Sequence, residues 1–169
     1  MNRDAERIYD EFLVTAAQGG DRAALSRLLE RWQPRLLVHA WRYAGDVERA
    51  KDAVQDAWIE ILRGLARLDD PAAFPAWACR IVSRRCQRAH ARIERQRAEP
   101  LPDDDAAAGP IADTREEGAH ATDLAIVQGA LATLPAVQRT ALALFHLEGL
   151  SVAEIAIATD VAPGTVKTR

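Results

Sequence analysis

Residues 151–169 read SVAEIAIATDVAPGTVKTR, a stretch with the signals of two short helices joined by a tight turn. Ser151 and Glu154 form an S-x-x-E capping box, which marks the start of a helix. Asp160 interrupts the helical pattern, and aspartate is one of the few residues that tolerate a left-handed backbone conformation. Pro163 suits the first turn of a second helix. The stretch therefore predicts a helix-turn-helix.

The second helix of this motif is the one expected to contact DNA. A helix-turn-helix lays the N-terminal residues of its second helix on base edges and phosphates in the major groove. The polar and cationic side chains available for these contacts are Thr165, Lys167, Thr168 and Arg169. The motif therefore favours a DNA-binding protein.

Helical signals recur along the rest of the chain, and almost nothing reads as a β-strand. Asp21, Pro34 and Asp46 are predicted to start successive helices, the second closed by Gly45 and the third reaching about Ala66. Apolar residues at helical spacing predict further helices over 74–97, 124–134 and 136–148.

A composition change divides these helices into two groups. Residues 99–122 are rich in Pro, Gly, Ala and Asp, which predicts a flexible acidic linker. We therefore expect an all-α fold of two small helical domains, 1–97 and 123–169, with the linker at 98–122. The second domain contains the helix-turn-helix.

The overall composition is that of a soluble globular protein. Of the 169 residues, 49 % are hydrophobic and 28 % are charged. No apolar run approaches the roughly 20 residues that span a bilayer, and the N-terminus leads into no signal-like apolar stretch. We expect a cytoplasmic protein without membrane insertion.

The two cysteines do not predict a disulfide or a metal site. Cys79 and Cys86 lie about 10 Å apart along one predicted helix, whereas a disulfide needs Cα atoms within about 7 Å. His90 could join Cys86 on a metal, but structural zinc takes about four ligands. Two buried thiols are therefore expected. Since no Gly-rich phosphate loop or Ser/His/Asp pattern occurs either, we expect no enzyme, cofactor or small-molecule substrate.

Arginines concentrate on one predicted helix of an otherwise acidic protein. The net charge is −3, yet residues 80–97 contain seven arginines and one acid. Like charges at i, i+4 destabilise a helix by a few tenths of a kcal/mol per pair. DNA phosphates would relieve that repulsion, and a solvated arginine face is the alternative. Phe74 and Trp77 could stack on unpaired bases but are expected to pack in the core. The polar face of this helix consists of Arg80, Arg84, Gln87, Arg88 and Arg95.

The helix that Asp46 starts presents two faces. Its apolar stripe is expected to enter the core and consists of Val47, Ala50, Val54, Trp58, Ile61 and Leu65. The other face is acidic with one branched apolar residue at its centre, which indicates either a partner-binding patch or a solvated surface. Its residues are Glu48, Asp52, Gln55, Asp56, Ile59 and Arg63.

These segments together resemble a known protein family. Residues 46–62 (DVERAKDAVQDAWIEIL) and 74–81 (FPAWACRI) resemble two successive helices of bacterial extracytoplasmic-function sigma factors. Residues 134–144 (LPAVQRTALAL), 148–156 (EGLSVAEIA) and 164–169 (GTVKTR) resemble the second domain of that family. The motifs occur in the family order, with an acidic linker between them.

The resemblance implies a function and assigns roles to residues. It implies a factor that binds core RNA polymerase and directs it to promoter DNA, with an anti-sigma factor as a further partner. The first of the two helices, through Asp52, Gln55, Asp56 and Ile59, would dock on the polymerase clamp. The Leu68–Ala73 loop, with Asp69 and Asp70, would hold a base flipped out of the duplex. The arginine helix would meet the minus-ten element, and the helix-turn-helix the minus-thirty-five element.

The chain also departs from the family pattern. Lys51 replaces a usual acid, and Arg84 and Arg88 stand near positions where Asn and Asp are common, so the base preference is not carried over. Asp160 follows Thr159 where an apolar residue and glycine are usual. The recognition helix would normally continue past Arg169, so we expect either a longer natural chain or impaired minus-thirty-five recognition.

Two other functions remain open. A sigma-like decoy or adaptor would bind an anti-sigma factor without reading DNA, and copurification with core polymerase would separate it from a sigma factor. A stand-alone helix-turn-helix repressor would need a dimer interface, and no sustained heptad supplies one.

Overall fold

The structure is a computed structural model that describes residues 3–98, 134–146 and 148–168. The predicted linker 99–122 and the predicted helix 124–134, apart from Leu134, lie outside these residues. Within them the chain is helical, which confirms the all-α prediction. The helices are α1 Arg3–Gln18, α2 Arg22–Ala44, α3 Val47–Gly64, α4 Phe74–Ala98, α5 Ala136–His146, α6 Val152–Thr159 and α7 Pro163–Thr168.

The predicted caps of the first long helices are present. The Asp21 carboxylate accepts hydrogen bonds from Ala23 N at 2.8 Å and Ala24 N at 3.1 Å. The Asp46 carboxylate accepts one from Arg49 N at 2.8 Å. Caps of this kind each stabilise a helix by about 1 kcal/mol.

Pro34 lies inside α2, so the prediction that it starts a separate helix was wrong. A proline in a helix interior removes a hydrogen bond and costs about 3 kcal/mol. Here the cost is offset because one buried stripe continues on both sides of the proline. The stripe consists of Leu28, Trp32, Leu36 and Ala40.

Helix α1 was not predicted from the sequence. It packs against α2 and buries Leu13 and Val14. Ile8 and Phe12 belong to the same broad apolar side of the helix as Leu13 but are exposed, so the apolar face of α1 is only partly covered by its neighbours.

The core-facing stripes of α3 and α4 are largely as predicted. In α3 the exception is Val47, which is exposed at the first turn, beyond the reach of the neighbouring helices. In α4 the Trp77 side chain is only partly buried. Phe74 is fully buried and meets Trp32 edge to face, with ring centroids 5.4 Å apart.

The C-terminal helices pack directly on the N-terminal ones. Helix α6 contacts α4, and α5 contacts α2. Leu144, Leu150 and Ile155 belong to the same cluster of buried side chains as Trp32 and Phe74. The residues on the two sides of the predicted linker therefore share one continuous core. No helix in the described ranges is long and apolar enough to cross a membrane.

Candidate functional sites

The helix-turn-helix forms as the sequence predicted. Glu154 N donates to Ser151 Oγ at 3.3 Å, and Ser151 N donates to Glu154 Oε2 at 2.7 Å, which completes the capping box. Asp160 adopts the left-handed conformation at φ 57° and ψ 45° and ends α6. Helix α7 begins at Pro163. The turn chemistry of the motif was thus fully readable from the sequence.

The predicted DNA-contacting residues of α7 differ in exposure. Thr165 is half-buried, whereas Lys167 and Thr168 are exposed. The Thr168 hydroxyl donates within its own helix, to Thr165 O at 3.1 Å. Arg169 lies outside the described residues. Lys167 is therefore the cation that α7 presents to solvent in the part of the chain described here.

The acidic face of α3 is exposed, and its apolar centre is larger than predicted. Ile59 is 47 % exposed and is accompanied by Leu62, which is 43 % exposed. Leu62 was not predicted as part of this face because it lies to one side of the acidic stripe. The predicted residues Glu48, Asp52, Gln55, Asp56 and Arg63 are all exposed around this apolar pair.

Two cations limit the negative charge of this face. Lys51 Nζ bonds Glu48 Oε1 at 2.6 Å, so the departure from the family acid neutralises a neighbouring carboxylate. Arg85 of α4 bonds Glu60 Oε2 at 2.6 Å and lies 4.0 Å from Asp56 Oδ2. The carboxylate of Asp52 has no cation among these contacts.

An open cleft of about 370 Å³ lies beside the loop between α3 and α4. The Asp70 carboxylate accepts from Ala72 N at 3.0 Å and so holds the 3₁₀ turn Pro71–Ala73. Asp69 and Asp70 are both exposed. The cleft brings together both aspartates, the partly exposed indole of Trp77 and the cation Arg67. Its lining residues are Gly64, Arg67, Leu68, Asp69, Asp70, Ala73 and Trp77.

Trp77 therefore has a second role that the sequence analysis did not favour. Core packing was expected, but the indole is a wall of the cleft as well as a neighbour of Phe74. A flat aromatic ring beside carboxylate acceptors suits the binding of an unstacked base, because every base has a face that can stack.

The arginine face of α4 is present but is not free. Arg80 Nη2 donates to Asp160 Oδ1 at 2.8 Å, and Arg84 Nε donates to Asp160 Oδ2 at 3.3 Å. Gln87 and Arg88 are exposed further along the same helix. No acid stands four residues from Arg80 or Arg84 in the chain. The structure supplies one from the helix-turn-helix.

Two further ion pairs connect the C-terminal helices to the N-terminal ones. Arg7 of α1 pairs with Glu154, and Arg35 of α2 lies 3.9 Å from Glu148. The pKa of Glu148 is raised, because the effect of burial outweighs that of the charges of Arg35 and Arg42, which lower it. The hydrogen bond from Arg80 lowers the pKa of Asp160.

The remaining perturbed groups belong to the core. Burial and the charge of Arg42 lower the pKa of His39 to about 3, and His39 Nε2 lies 2.9 Å from Ser83 Oγ. Burial raises the pKa of Cys79 to about 12 and that of Cys86 to about 11. Both thiols are buried, as predicted.

Two family models match the chain. Sigma-70 region 2 matches residues 28–97, and Sigma-70 region 4 matches residues 124–169. The first range contains the acidic face, the cleft and the arginine helix, and the second contains the helix-turn-helix.

Related sequences and structures agree with these matches. The chain is 34 % identical over 160 residues to the ECF RNA polymerase sigma factor SigM of Mycobacterium tuberculosis, covering 95 % of this chain and 78 % of SigM. It is 31 % identical over 180 residues to the ECF RNA polymerase sigma-E factor of Escherichia coli K12, covering 98 % of this chain and 90 % of that factor.

Among solved structures, the sigma factor RpoE in complex with the anti-sigma factor NepR from Bartonella quintana has a TM-score of 0.64 at 23 % identity, covering 85 % of this chain and 88 % of RpoE. CnrH in complex with the cytosolic domain of CnrY has a TM-score of 0.60 at 21 % identity, covering 95 % of this chain and 88 % of CnrH. These two likenesses concern the fold. From its sequence relatives, the chain belongs to the family of ECF RNA polymerase sigma factors.

Proposed function

We propose that this sigma factor docks on core RNA polymerase through the acidic face of α3 and opens promoter DNA with the cleft and α4. The face combines exposed carboxylates with the apolar pair Ile59 and Leu62. An exposed apolar centre ringed by charge is typical of a protein-binding patch, and it is the observation that carries the proposal. The bound polymerase supplies the chemistry, so the chain itself acts as a regulator in the cytoplasm.

The DNA contacts divide between two domains in this proposal. Residues 1–97 supply the arginines of α4 for phosphates and the Asp69–Asp70 cleft for one unstacked base. Residues 123–169 supply α7 for the upstream duplex, and 98–122 connect the two. An anti-sigma factor is a further expected partner, because the similar RpoE is seen with NepR.

The cleft has the chemistry for a base that carries an amino group. Ionised carboxylates accept hydrogen bonds only, so Asp69 suits the exocyclic amine of cytosine, adenine or guanine. The Trp77 ring would stack on the same base. Since the Asp70 carboxylate already caps the following turn, its role is to hold the loop in shape.

The experiment reverses charge on the acidic face. The double variant Asp52→Arg with Asp56→Arg should lose core-polymerase binding in a pull-down by at least tenfold, about 1.4 kcal/mol. Both side chains are exposed, so the fold should persist in circular dichroism. Glu11→Arg with Glu30→Arg is the matched control, since these exposed acids lie on α1 and α2. Polymerase capture by the folded α3 variant at the control level would contradict the proposal.

A further inference from the structure

The Asp160 carboxylate lies against the arginines of α4 for which the proposed function assigns contacts to DNA phosphates. Its two carboxylate oxygens are divided between two guanidinium groups, with Oδ1 bonded to Arg80 and Oδ2 to Arg84. A phosphate group bridges neighbouring arginines through the same kind of charged oxygens. While the Asp160 carboxylate is bound to Arg80 and Arg84, neither guanidinium group can direct all of its N–H donors at a DNA phosphate.

The backbone at Asp160 indicates that its side chain has a specific use. Among the described residues, Asp160 is the one non-glycine residue with a positive φ. Glycine adopts this conformation without the steric cost that a side chain brings. An aspartate at this helix end therefore carries a steric cost that glycine would avoid, and it places a carboxylate at the α4 arginines.

The other acids of the C-terminal helices follow the same pattern. Residues 134–146 and 148–168 contain three acidic side chains, Glu148, Glu154 and Asp160. Glu148 lies near Arg35, and Glu154 pairs with Arg7. Each of these acids thus meets an arginine of the N-terminal helices.

We propose that the helix-turn-helix is a built-in competitor for the DNA-binding face of α4, with Asp160 as the phosphate mimic. In the closed arrangement seen here, the free sigma factor has low affinity for DNA. The pairs that Asp160 makes are partly exposed and therefore weak and sensitive to salt. A polyanion, or a partner that separates the two domains, can displace them. The inference rests on the proposed role of α4 in DNA binding.

Two substitutions of Asp160 separate charge from fold. Asp160→Gly removes the carboxylate and relieves the positive φ, so the helix-turn-helix should be at least as stable in thermal unfolding. Asp160→Asn removes the charge while keeping a side chain that tolerates this backbone conformation. Glu30→Gln is the matched control, because it removes one charge from an exposed acid on α2.

The readout is DNA binding by the free protein, without polymerase. A fluorescein-labelled single-stranded 20-mer of mixed sequence is titrated by anisotropy at low and at moderate salt. Both Asp160 variants should bind at least fivefold more tightly than wild type and Glu30→Gln at low salt. Adding Arg80→Ala and Arg84→Ala to Asp160→Gly should abolish the gain.

Two results would overturn the proposal. One is an Asp160→Asn affinity equal to that of Glu30→Gln, which would mean that the carboxylate does not compete with DNA. The other is an increase in DNA affinity that persists when Arg80 and Arg84 are both replaced, which would mean that the increase comes from the change in net charge. Arg88→Ala, assayed in the polymerase complex, tests the role of α4 in DNA binding without involving Asp160, so the failure of this inference is distinguishable from the failure of the proposed function.

Discussion

Gly64 lies so close to Trp77 that a Cβ atom on Gly64 would be 2.9 Å from the indole Cζ2 and 3.2 Å from Cη2. The glycine ends α3 and the tryptophan begins the second turn of α4, so this approach determines how the two helices meet beside the cleft. The contact predicts that Gly64→Ala changes the free energy of unfolding in opposite directions in the presence and in the absence of the Trp77 indole.

Gly64→Ala should lower the free energy of unfolding by about 1–2 kcal/mol, because the added methyl group overpacks against the indole. In a Trp77→Phe background the contacted ring atoms are absent. There, the same substitution should raise the free energy of unfolding by up to about 1 kcal/mol, since alanine is the better helix former. Urea denaturation of the four proteins gives the coupling directly. Equal effects in both backgrounds would mean that the steric contact does not exist.

His39 predicts how stability depends on pH. Its pKa is lowered to about 3 by burial and by the charge of Arg42, whereas an unfolded histidine titrates near pH 6.5. Between these values the unfolded chain binds the proton and the folded chain does not, so stability falls as the pH falls. From pH 7 to pH 5 the loss should be about 2 kcal/mol.

The histidine contribution is isolated by comparison with His39→Gln, whose amide can still bond Ser83 but cannot titrate. Other groups, Glu148 among them, titrate in both proteins and cancel in the difference. Urea unfolding at pH 5, 6 and 7 should show the two stability curves converging or crossing as the pH falls. Parallel curves would mean that His39 is not buried in its neutral form.

The two thiols should be inert in the native protein. Burial raises the pKa of Cys79 to about 12 and that of Cys86 to about 11, so almost no thiolate is present near neutral pH. The thiolate is the reactive form. Ellman's reagent at pH 8 should therefore label neither cysteine in the folded protein on the time scale on which it labels both in urea. Rapid native labelling, assigned with Cys86→Ser, would contradict this burial.

Features determined by neighbours in the chain were predictable from the sequence. The caps at Asp21, Asp46 and Ser151 depend on residues two or three positions away. The left-handed turn at Asp160 uses one of the few residue types that tolerate this conformation. The exposed acidic face of α3 follows from helical periodicity, because the opposite stripe enters the core.

Features decided by distant contacts were not predictable in this way. Pro34 obeys the local rule for a helix start, but packing on both sides of it keeps α2 continuous. The position of Trp77 in the cleft depends on a glycine thirteen residues away, on another helix. The pairing of Arg80 with Asp160 spans 80 residues of chain and leaves no local signature. The arginine repulsion led to the prediction of DNA phosphates as the compensating anion, whereas the structure also supplies the Asp160 carboxylate of the helix-turn-helix.

The three arginines of α4 should behave differently in the free protein and in the polymerase complex. In the complex, where we propose that the helix-turn-helix no longer covers α4, Arg80→Ala, Arg84→Ala and Arg88→Ala should each remove one phosphate contact and reduce the salt slope of promoter binding by about one unit. In the free chain Asp160 already holds Arg80 and Arg84, so only Arg88→Ala should weaken binding to the single-stranded probe. Arg27→Ala, an exposed arginine of α2, is the control in both assays. If all three substitutions weaken probe binding by the free chain equally, the arginines are not held by Asp160 in solution. If wild type and variants have equal salt slopes in the complex, α4 is not part of the DNA interface.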